Sequence, residues 1–270
     1  MIAAALKVAA VAAALFAALP LVAYFAQGSL IFHPRPLPAE RSADVARRFA
    51  SVQEVFIQAK DGAKLHAWYL RPGSPLVIYF GGNAEEVSWM IEETANAPGA
   101  SWLLVDYRGY GLSEGSPGER ALVSDAIEWY DYAMKLPGAD PKRTFAFGRS
   151  LGSGVAVALA AERPLAGVIL ATPYDSLVAV AKRYYWYLPV DLLLKHRFDS
   201  IALAPMRKEP LLCLIAERDE VIPPMHAERL FDAWGGAKRK VVLAEAGHNS
   251  IHAHPGYWPP IREFLAQKVN

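Results

Sequence analysis

Apolar residues are distributed unevenly along the chain, and their pattern changes at two places. Residues 8–26 carry no charged side chain. Residues 53–58 and 65–70 flank the turn Lys60-Asp61-Gly62, and their alternating or β-rich composition predicts an antiparallel pair of strands. Further along, the apolar residues form short continuous runs, which are typical of strands buried on both faces; these runs are 75–80, 102–105, 144–147, 167–170, 211–215 and 240–243.

Segments with helical spacing lie between most of these runs. They cover residues 84–96, 119–134, 151–162, 224–234 and 259–267. Alternation of buried strands with helices is typical of a mostly parallel sheet covered on both faces. Together with the antiparallel pair, the pattern predicts an α/β fold with a mostly parallel eight-stranded sheet and helices on both faces.

The uncharged run at residues 8–26 predicts a membrane anchor. As a helix it would be about 28 Å long, close to the hydrocarbon thickness of a bilayer. A cleaved signal peptide is the alternative, but cleavage after Ala18, Ala23 or Ala26 would leave a large side chain where a small one is needed. We therefore expect residues 1–30 to form an uncleaved N-terminal transmembrane helix and the protein to be a single-pass membrane protein. Positive charges are about equal on the two sides, so the orientation stays open.

Length and composition limit the remaining possibilities. With 270 residues, of which 53% are hydrophobic, the chain has enough material for one substantial core, so residues 31–270 are expected to form one domain. The net charge of +1 gives no field that would attract nucleic acid. The single cysteine, Cys213, lies in an apolar run and is interpreted as a core residue. No obligate protein partner is indicated.

The sequence Gly148-Arg149-Ser150-Leu151-Gly152 lies between a predicted strand and a predicted helix. It matches G-x-S-x-G, a turn in which a strained serine exposes its Oγ. Ser150 is therefore the candidate nucleophile, and the backbone N–H of Leu151 can point at a developing oxyanion. On these five residues alone, a simple Gly/Ser turn is the alternative.

Three other strand ends carry residues with suitable chemistry. Asn83 follows the strand at 75–80, Asp219 follows the strand at 211–215, and His248 follows the last strand. Ligands gather at the carboxyl ends of parallel strands, and the order Ser, Asp, His along the chain is that of α/β-hydrolase triads. We predict Ser150 as nucleophile, His248 as base and Asp219 as the acid that orients the base.

Alternatives exist for the acid, and a metal is also conceivable. Glu217 and Glu220 are close to Asp219 in sequence, and Asp175 follows another strand. His248, His252 and His254 form H-x-x-x-H-x-H, but no carboxylate or cysteine completes a metal-ligand set. We expect neither a metal nor a cofactor.

The oxyanion hole is predicted to use the backbone N–H groups of Asn83 and Leu151. The side chain of Asn83 has another possible role, as the N-cap of a helix that begins at Ala84. The segment Asp106 to Gly115 offers no obvious catalytic group. It is interpreted as a loop that supports the site, with Arg108 paired internally.

The largest insertion, at about 174–209, predicts a small helical cap over the serine. It contains an apolar stretch that begins with Tyr184, Tyr185 and Trp186. These aromatic side chains either bind the acyl part of a substrate or pack the cap onto the core, and both interpretations stay open.

Several motifs taken together resemble the α/β-hydrolase superfamily, and within it the membrane-anchored group of Bem46-like and ABHD13-like serine hydrolases. The matching pieces are FGGNA at 80–84, DYRGYGLSEG at 106–115, GRSLGSG at 148–154, ERDEVIPP at 217–224 and AGHNS at 246–250. The sequence departs at Gly81, where many relatives have histidine. The resemblance implies hydrolysis of acyl bonds.

The leading hypothesis is a membrane-tethered serine hydrolase that cleaves a carboxylic ester or thioester through an acyl-enzyme. Its substrate would be a small-molecule or lipid acyl compound. An acyl-peptide or aminopeptidase activity would use the same triad and is the second hypothesis. A non-catalytic binding protein of hydrolase fold is the third, although such proteins usually lack a member of the triad and this sequence lacks none.

Overall fold

Eight strands form one sheet in the computed structural model, which describes residues 2–267, with side chains at all of these positions except 3, 5 and 8–17. The strands are β1 (Val52–Gln58), β2 (Lys64–Leu70), β3 (Leu76–Phe80), β4 (Ser101–Val105), β5 (Thr144–Arg149), β6 (Gly167–Ala171), β7 (Leu211–Ala216) and β8 (Lys238–Leu243). Their spatial order is β1-β2-β4-β3-β5-β6-β7-β8.

The sheet is mostly parallel, as predicted. Strand β2 pairs antiparallel with β1 and β4, whereas all other neighbouring strands are parallel. Every residue of β3, β4, β5, β6 and β7 is buried. Burial on both faces explains why these strands appear in the sequence as continuous apolar runs rather than as an alternating pattern.

Helices cover both faces, which confirms the α/β prediction. They are α1 (Ile2–Ile31), α2 (Ala39–Arg48), α3 (Met90–Glu93), α4 (Glu119–Ala133), α5 (Leu151–Glu162), α6 (Leu177–Tyr184), α7 (Val190–Leu193), α8 (Ser200–Leu203), α9 (Pro224–Ala233) and α10 (Trp258–Ala266). Trp129 of α4 and Val155 of α5 belong to the apolar core on one face, and Met90 of α3 and Ile261 of α10 to the core on the other.

The helix predicted at 84–96 is wrong in its extent. Only α3 is α-helical there, and it lies between 3₁₀ turns at Val87–Trp89 and Thr94–Asn96. Ala84 has a φ of 56°, in the left-handed region, so a right-handed helix does not begin at this residue.

The insertion after β6 folds into α6, α7 and α8. The side chain of Ser176 accepts a hydrogen bond from the backbone N–H of Ala179 and so caps the start of α6. At the other end of this helix, the Tyr184 hydroxyl donates to the carbonyls of Glu220 and Val221 at 3.1 and 2.9 Å. The predicted cap is thus attached to the loop that contains Asp219.

The predicted transmembrane anchor is not supported by the structure. Its span falls partly on residues 8–17, whose side chains lie outside the described part. Among the residues that the structure does describe, no helix combines the length and the apolar character needed to cross a membrane. The C-terminal end of α1 instead packs on the cap, where the buried Gln27 donates from Nε2 to the Leu193 carbonyl and accepts the Lys195 N–H.

The segment that follows α1 is part of the folded domain. Phe32 and Leu37 are buried in the two apolar cores. Gly111 donates its N–H to the Arg35 carbonyl at 2.8 Å and accepts the Leu37 N–H at 3.0 Å. These contacts join the N-terminal segment to the loop after β4, so residues 31–40 are structural and not a free linker.

A chain that begins at Arg41 should therefore be destabilised relative to one that begins at Ala23. It lacks Phe32 and Leu37, and each buried side chain of this kind contributes roughly 1.5–3 kcal/mol. Urea unfolding of the two shortened chains measures the difference in the free energy of unfolding. Equal free energies would show that the contacts of residues 23–40 do not stabilise the domain.

Candidate active site

Ser150 lies in a sharp turn between β5 and α5. Its φ of 51° and ψ of −117° are strained for a residue with a side chain. The surrounding backbone holds this conformation, because the Ser150 N–H donates to the Ala171 carbonyl and the Ser153 N–H donates to the Ser150 carbonyl, both at 2.9 Å. The turn projects the serine from the carboxyl edge of the sheet, as G-x-S-x-G predicts.

The two glycines of the motif are required by close backbone approach. A Cβ atom on Gly148 would overlap the carbonyl of Gly152. A Cβ atom on Gly152 would overlap the carbonyl of Phe80, the last residue of β3. The glycines therefore bring the start of α5 directly against β5 and the end of β3.

The structure brings Ser150, His248 and Asp219 together in one chain of hydrogen bonds. His248 Nε2 is 2.9 Å from Ser150 Oγ, and His248 Nδ1 is 2.8 Å from Asp219 Oδ2. All three side chains are buried. An ionised carboxylate only accepts hydrogen bonds, so Nδ1 carries the ring proton and Nε2 is free to accept the serine proton.

The backbone of its own loop fixes Asp219. Its Oδ1 accepts the N–H groups of Val221 and Ile222 at 2.9 and 2.6 Å, which leaves Oδ2 for His248. The neighbouring Glu220 instead accepts the backbone N–H of His248 at 3.3 Å. The loop therefore holds both the side chain and the backbone of the histidine.

The rival acids have other partners. Glu217 is exposed and accepts the backbone N–H of Glu245. Asp175 pairs with a different histidine, His226, at 2.8 Å. Burial alone would raise the pKa of Asp175, but hydrogen bonds from His226 and from the Ser176 N–H outweigh it and lower this pKa.

Asn83 and Leu151 line the same cavity as Ser150. Leu151 is the first residue of α5, so its N–H has no acceptor within the helix. The Asn83 side chain does not cap a helix at Ala84. Its Oδ1 accepts the His33 N–H and the Tyr110 hydroxyl, each at 3.0 Å, and its Nδ2 donates to the Ile31 carbonyl at 2.6 Å.

A buried ion pair beside the triad was missed by the sequence reasoning. Arg149 Nη1 lies 2.7 Å from Glu85 Oε2, which also accepts the Gly82 N–H at 2.6 Å. Glu85 Oε1 accepts the Tyr79 hydroxyl at 2.7 Å, and Arg149 Nη2 donates to Asn249 Oδ1 at 3.4 Å.

The Glu85–Arg149 pair thus links the three loops that carry Asn83, Ser150 and His248. Its signal in the sequence is an arginine at the end of an apolar strand.

Arg149 stays charged in this buried position. Burial lowers the pKa of its guanidinium, but the negative charge of Glu85 outweighs this effect and raises the pKa above its usual value. A charged Arg149 keeps both its ion pair with Glu85 and its contact with Asn249.

The loop after β4 is held by internal pairs, and Arg108 is paired as interpreted from the sequence. Arg108 makes a bidentate pair with Asp125 at 2.7 and 2.6 Å. Asp106 accepts a hydrogen bond from His66 Nδ1 at 2.7 Å, and burial raises the pKa of this carboxyl. Both pairs lie inside the domain and do not line the cavity at Ser150.

The cavity above Ser150 has a volume of about 480 Å³. Two of the three predicted substrate-binding aromatics, Tyr184 and Tyr185, line it. Trp186 is 81% exposed and is not among the residues that line the cavity. An apolar run in sequence does not specify which of its side chains faces inward, and for Trp186 the structure separates the residue from the site.

The three histidines considered as metal ligands are not brought together. His252 packs against the ring of Trp89, and His254 Nδ1 accepts the Gly256 N–H at 3.0 Å. Across the described residues, no group of three or more His, Cys, Asp or Glu side chains has the arrangement of a metal site.

Comparison with known proteins identifies relatives over most of the chain. A hydrolase family model described as "Serine aminopeptidase, S33" matches residues 75–183. The uncharacterized protein Rv2307c of Mycobacterium tuberculosis is 35% identical over 251 residues, which cover 89% of this chain and 88% of that protein.

Two fungal relatives are more distant. The uncharacterized membrane protein YNL320W of Saccharomyces cerevisiae is 29% identical, with 80% of each chain covered. Protein bem46 of Schizosaccharomyces pombe is 28% identical over 72% of this chain and 68% of its own.

Solved structures share the fold at low sequence identity. An esterase of Pyrococcus furiosus, Pf2001, superposes with a TM-score of 0.72 at 19% identity, covering 89% of this chain and 98% of the esterase. At this identity the likeness shows the fold and not the substrate.

The Asp219–His248 and Asp175–His226 pairs provide a matched test of the acid. Asp219→Asn should lower turnover of an ester roughly 10⁴-fold, because the amide favours the histidine tautomer in which Nε2 no longer accepts the serine proton. Asp175→Asn changes an equivalent pair that does not contact Ser150 and should reduce turnover far less. Steady-state kinetics of both purified variants measures the ranking, and the reverse ranking would assign the acid to Asp175.

Proposed function

Since the chain belongs to the Bem46-like family of α/β hydrolases, we propose that it is a serine hydrolase that cleaves carboxylic ester or thioester bonds through an acyl-enzyme. The observation that carries this proposal is the hydrogen-bonded chain from Ser150 through His248 to Asp219 at the base of an apolar cavity. Asn83 and Leu151 supply backbone donors beside it.

In the proposed reaction, Ser150 Oγ attacks the substrate carbonyl carbon while His248 Nε2 takes the hydroxyl proton. Asp219 stabilises the resulting imidazolium, and the N–H groups of Asn83 and Leu151 stabilise the oxyanion. When the tetrahedral intermediate collapses, His248 returns the proton to the leaving alcohol or thiol, and the acyl group stays on Ser150. Water then repeats the sequence, releasing the carboxylic acid and the free serine.

The lining of the cavity favours an acyl substrate over a peptide. Most of its residues are apolar or aromatic, and Glu220 is the one charged residue among the described lining residues. An aminopeptidase needs a carboxylate for the substrate amine. One oxygen of Glu220 accepts the His248 N–H, and the other is open to a substrate amine. Aminopeptidase activity is kept as an outcome of the test, because the matching family model bears that description.

We also propose that the N-terminal apolar run holds the enzyme at a membrane, where lipid acyl substrates reside. The support is the absence of charge over residues 8–26 and the name of the yeast relative, which is called a membrane protein. Tethering would raise the concentration of enzyme at the surface that holds the substrate.

Ser150→Ala should abolish labelling by a fluorophosphonate probe, because the probe reacts with an activated serine. Ser116→Ala, which changes an exposed serine between β4 and α4, should label normally. The native protein should hydrolyse p-nitrophenyl esters and acyl thioesters faster than aminoacyl p-nitroanilides. Continued labelling of Ser150→Ala would place the nucleophile elsewhere, and preferred cleavage of the anilides would favour the aminopeptidase.

Membrane attachment is tested by fractionation. The full chain should remain with membranes after a high-salt wash, because burial of apolar surface does not depend on ionic strength. A chain that begins at Ala23 retains the cap contacts of α1 but lacks most of the apolar run, and it should be largely released. Equal distribution of the two chains would contradict the tether.

A further inference from the structure

The end of α1 forms part of the cavity at Ser150. Leu30 and Ile31 line this cavity opposite the cap residues of α6. A second cavity of about 120 Å³ adjoins it and is lined from α1 by Ala23 and Gln27. The two cavities share five lining residues: Leu30, Ile31, Ala181, Tyr185 and Leu194. The space beside the nucleophile therefore extends along α1.

The second cavity, or outer cavity, is suited to an aliphatic ligand. All of its described lining residues are apolar or aromatic except Gln27. The Gln27 side chain is already bonded, since Nε2 donates to the Tyr24 and Leu193 carbonyls at 2.8 and 3.0 Å and Oε1 accepts the Lys195 N–H at 2.7 Å. A polar ligand would lose its hydration here without gaining a partner.

The same contacts make α1 a fixed wall. Gln27 joins the helix to the backbone on both sides of Leu194, and Lys195 Nζ lies 3.8 Å from the centre of the Tyr24 ring. Phe32, the residue that follows α1, is buried in the core and holds the C-terminal end of the helix. A wall held before the ligand arrives saves the entropy of ordering it on binding.

The distance along α1 between the residues that line the two cavities indicates that the ligand is long. Ala23 and Ile31 are separated along α1 by about 12 Å, or just over two helical turns. A short acyl group attached to Ser150 would fit within the cavity at Ser150, called the inner cavity, whereas a long unbranched chain would have to pass Ile31 and reach Ala23. The small volume of the outer cavity disfavours branched or ring-containing groups.

We infer that the C-terminal turns of α1 form one wall of an acyl-chain site, so that the enzyme acts on esters or thioesters of long, unbranched aliphatic acids. This inference rests on the proposed function, because the acyl carbonyl must lie at Ser150. In this arrangement the chain lies between α1 and the cap with its methyl end toward Ala23. The N-terminal helix is then a substrate-binding element in its own right.

The test fills the outer cavity and leaves the inner one open. Ala23→Trp should lower kcat/KM for p-nitrophenyl palmitate by roughly tenfold or more, since a pocket discriminates by about this factor when a few methylenes lose their place. For p-nitrophenyl butyrate, kcat/KM of Ala23→Trp should stay within about twofold of kcat/KM of the native protein. Val22→Trp is the matched control, because Val22 is the preceding residue, is 62% exposed and lines neither cavity.

A second pair of variants approaches the cavity from the cap and guards against misfolding of α1. Leu188 lines the outer cavity, so Leu188→Trp should repeat the selective loss with palmitate. Leu192 is 83% exposed on α7, and Leu192→Trp should leave both substrates unchanged. Equal losses for palmitate and butyrate in Ala23→Trp and Leu188→Trp would overturn the acyl-wall inference.

A binding measurement separates this inference from the proposed function. In full-length Ser150→Ala, palmitate should displace a fluorescent fatty acid more strongly than butyrate does, and adding Ala23→Trp should weaken palmitate roughly tenfold. Unchanged palmitate binding would overturn the inference even if the native protein hydrolyses esters. Conversely, absence of fluorophosphonate labelling in the native protein would reject the serine hydrolase, whereas the palmitate measurement would still report on the acyl site.

Discussion

The site depends on one close approach, in which the turn from β5 into α5 lies directly against the end of β3. Glycine at 148 and 152 removes the side chains that would keep these backbones apart, and the tight turn between them holds Ser150 in its strained conformation. The same contact places the Asn83 loop beside the nucleophile. The buried Glu85–Arg149 pair then holds both loops. Desolvating two charges is costly, and here hydrogen bonds from Gly82 and Tyr79 to the carboxylate help to offset that cost.

The described residues include three buried Asp–His pairs, and in one of them the histidine ring contacts a serine hydroxyl. The pairs are His66–Asp106, His226–Asp175 and His248–Asp219, with separations of 2.7, 2.8 and 2.8 Å. Nε2 of His66 and of His226 is buried and has no hydrogen-bond partner among the described residues, whereas Nε2 of His248 meets Ser150 Oγ. A carboxylate that orients a histidine therefore does not by itself mark the active site of this protein. The distinguishing feature of His248 is that its free ring nitrogen meets the hydroxyl of Ser150.

Features that depend on local sequence were predictable, and features that depend on distant contacts were not. Continuous apolar runs located the central strands to within about two residues, because burial on both faces leaves no other composition for them. Asn83 is not the N-cap of a helix, since its side chain bonds to Ile31, His33 and Tyr110, and these bonds cross 27 to 52 positions of sequence. The contact between Gln27 and Leu193 spans 166 positions, and hydropathy carries no information about it.

The N-terminal helix shows why hydropathy alone gives an incomplete account of such a segment. A helix that merely anchors needs apolar surface and is free to rotate about its axis, since lipid offers the same environment on every side. A buried glutamine removes that freedom: both N–H groups of the Gln27 amide and its oxygen must find partners, and the cap backbone and the Tyr24 carbonyl supply them at one rotation and one depth of α1. Leu30 and Ile31, on the next turn, are thereby fixed relative to Ser150. In the proposed arrangement, the hydrogen bonds of Gln27 fix the rotation and depth of α1. They thereby also fix the position of the wall along which an acyl chain reaches Ser150.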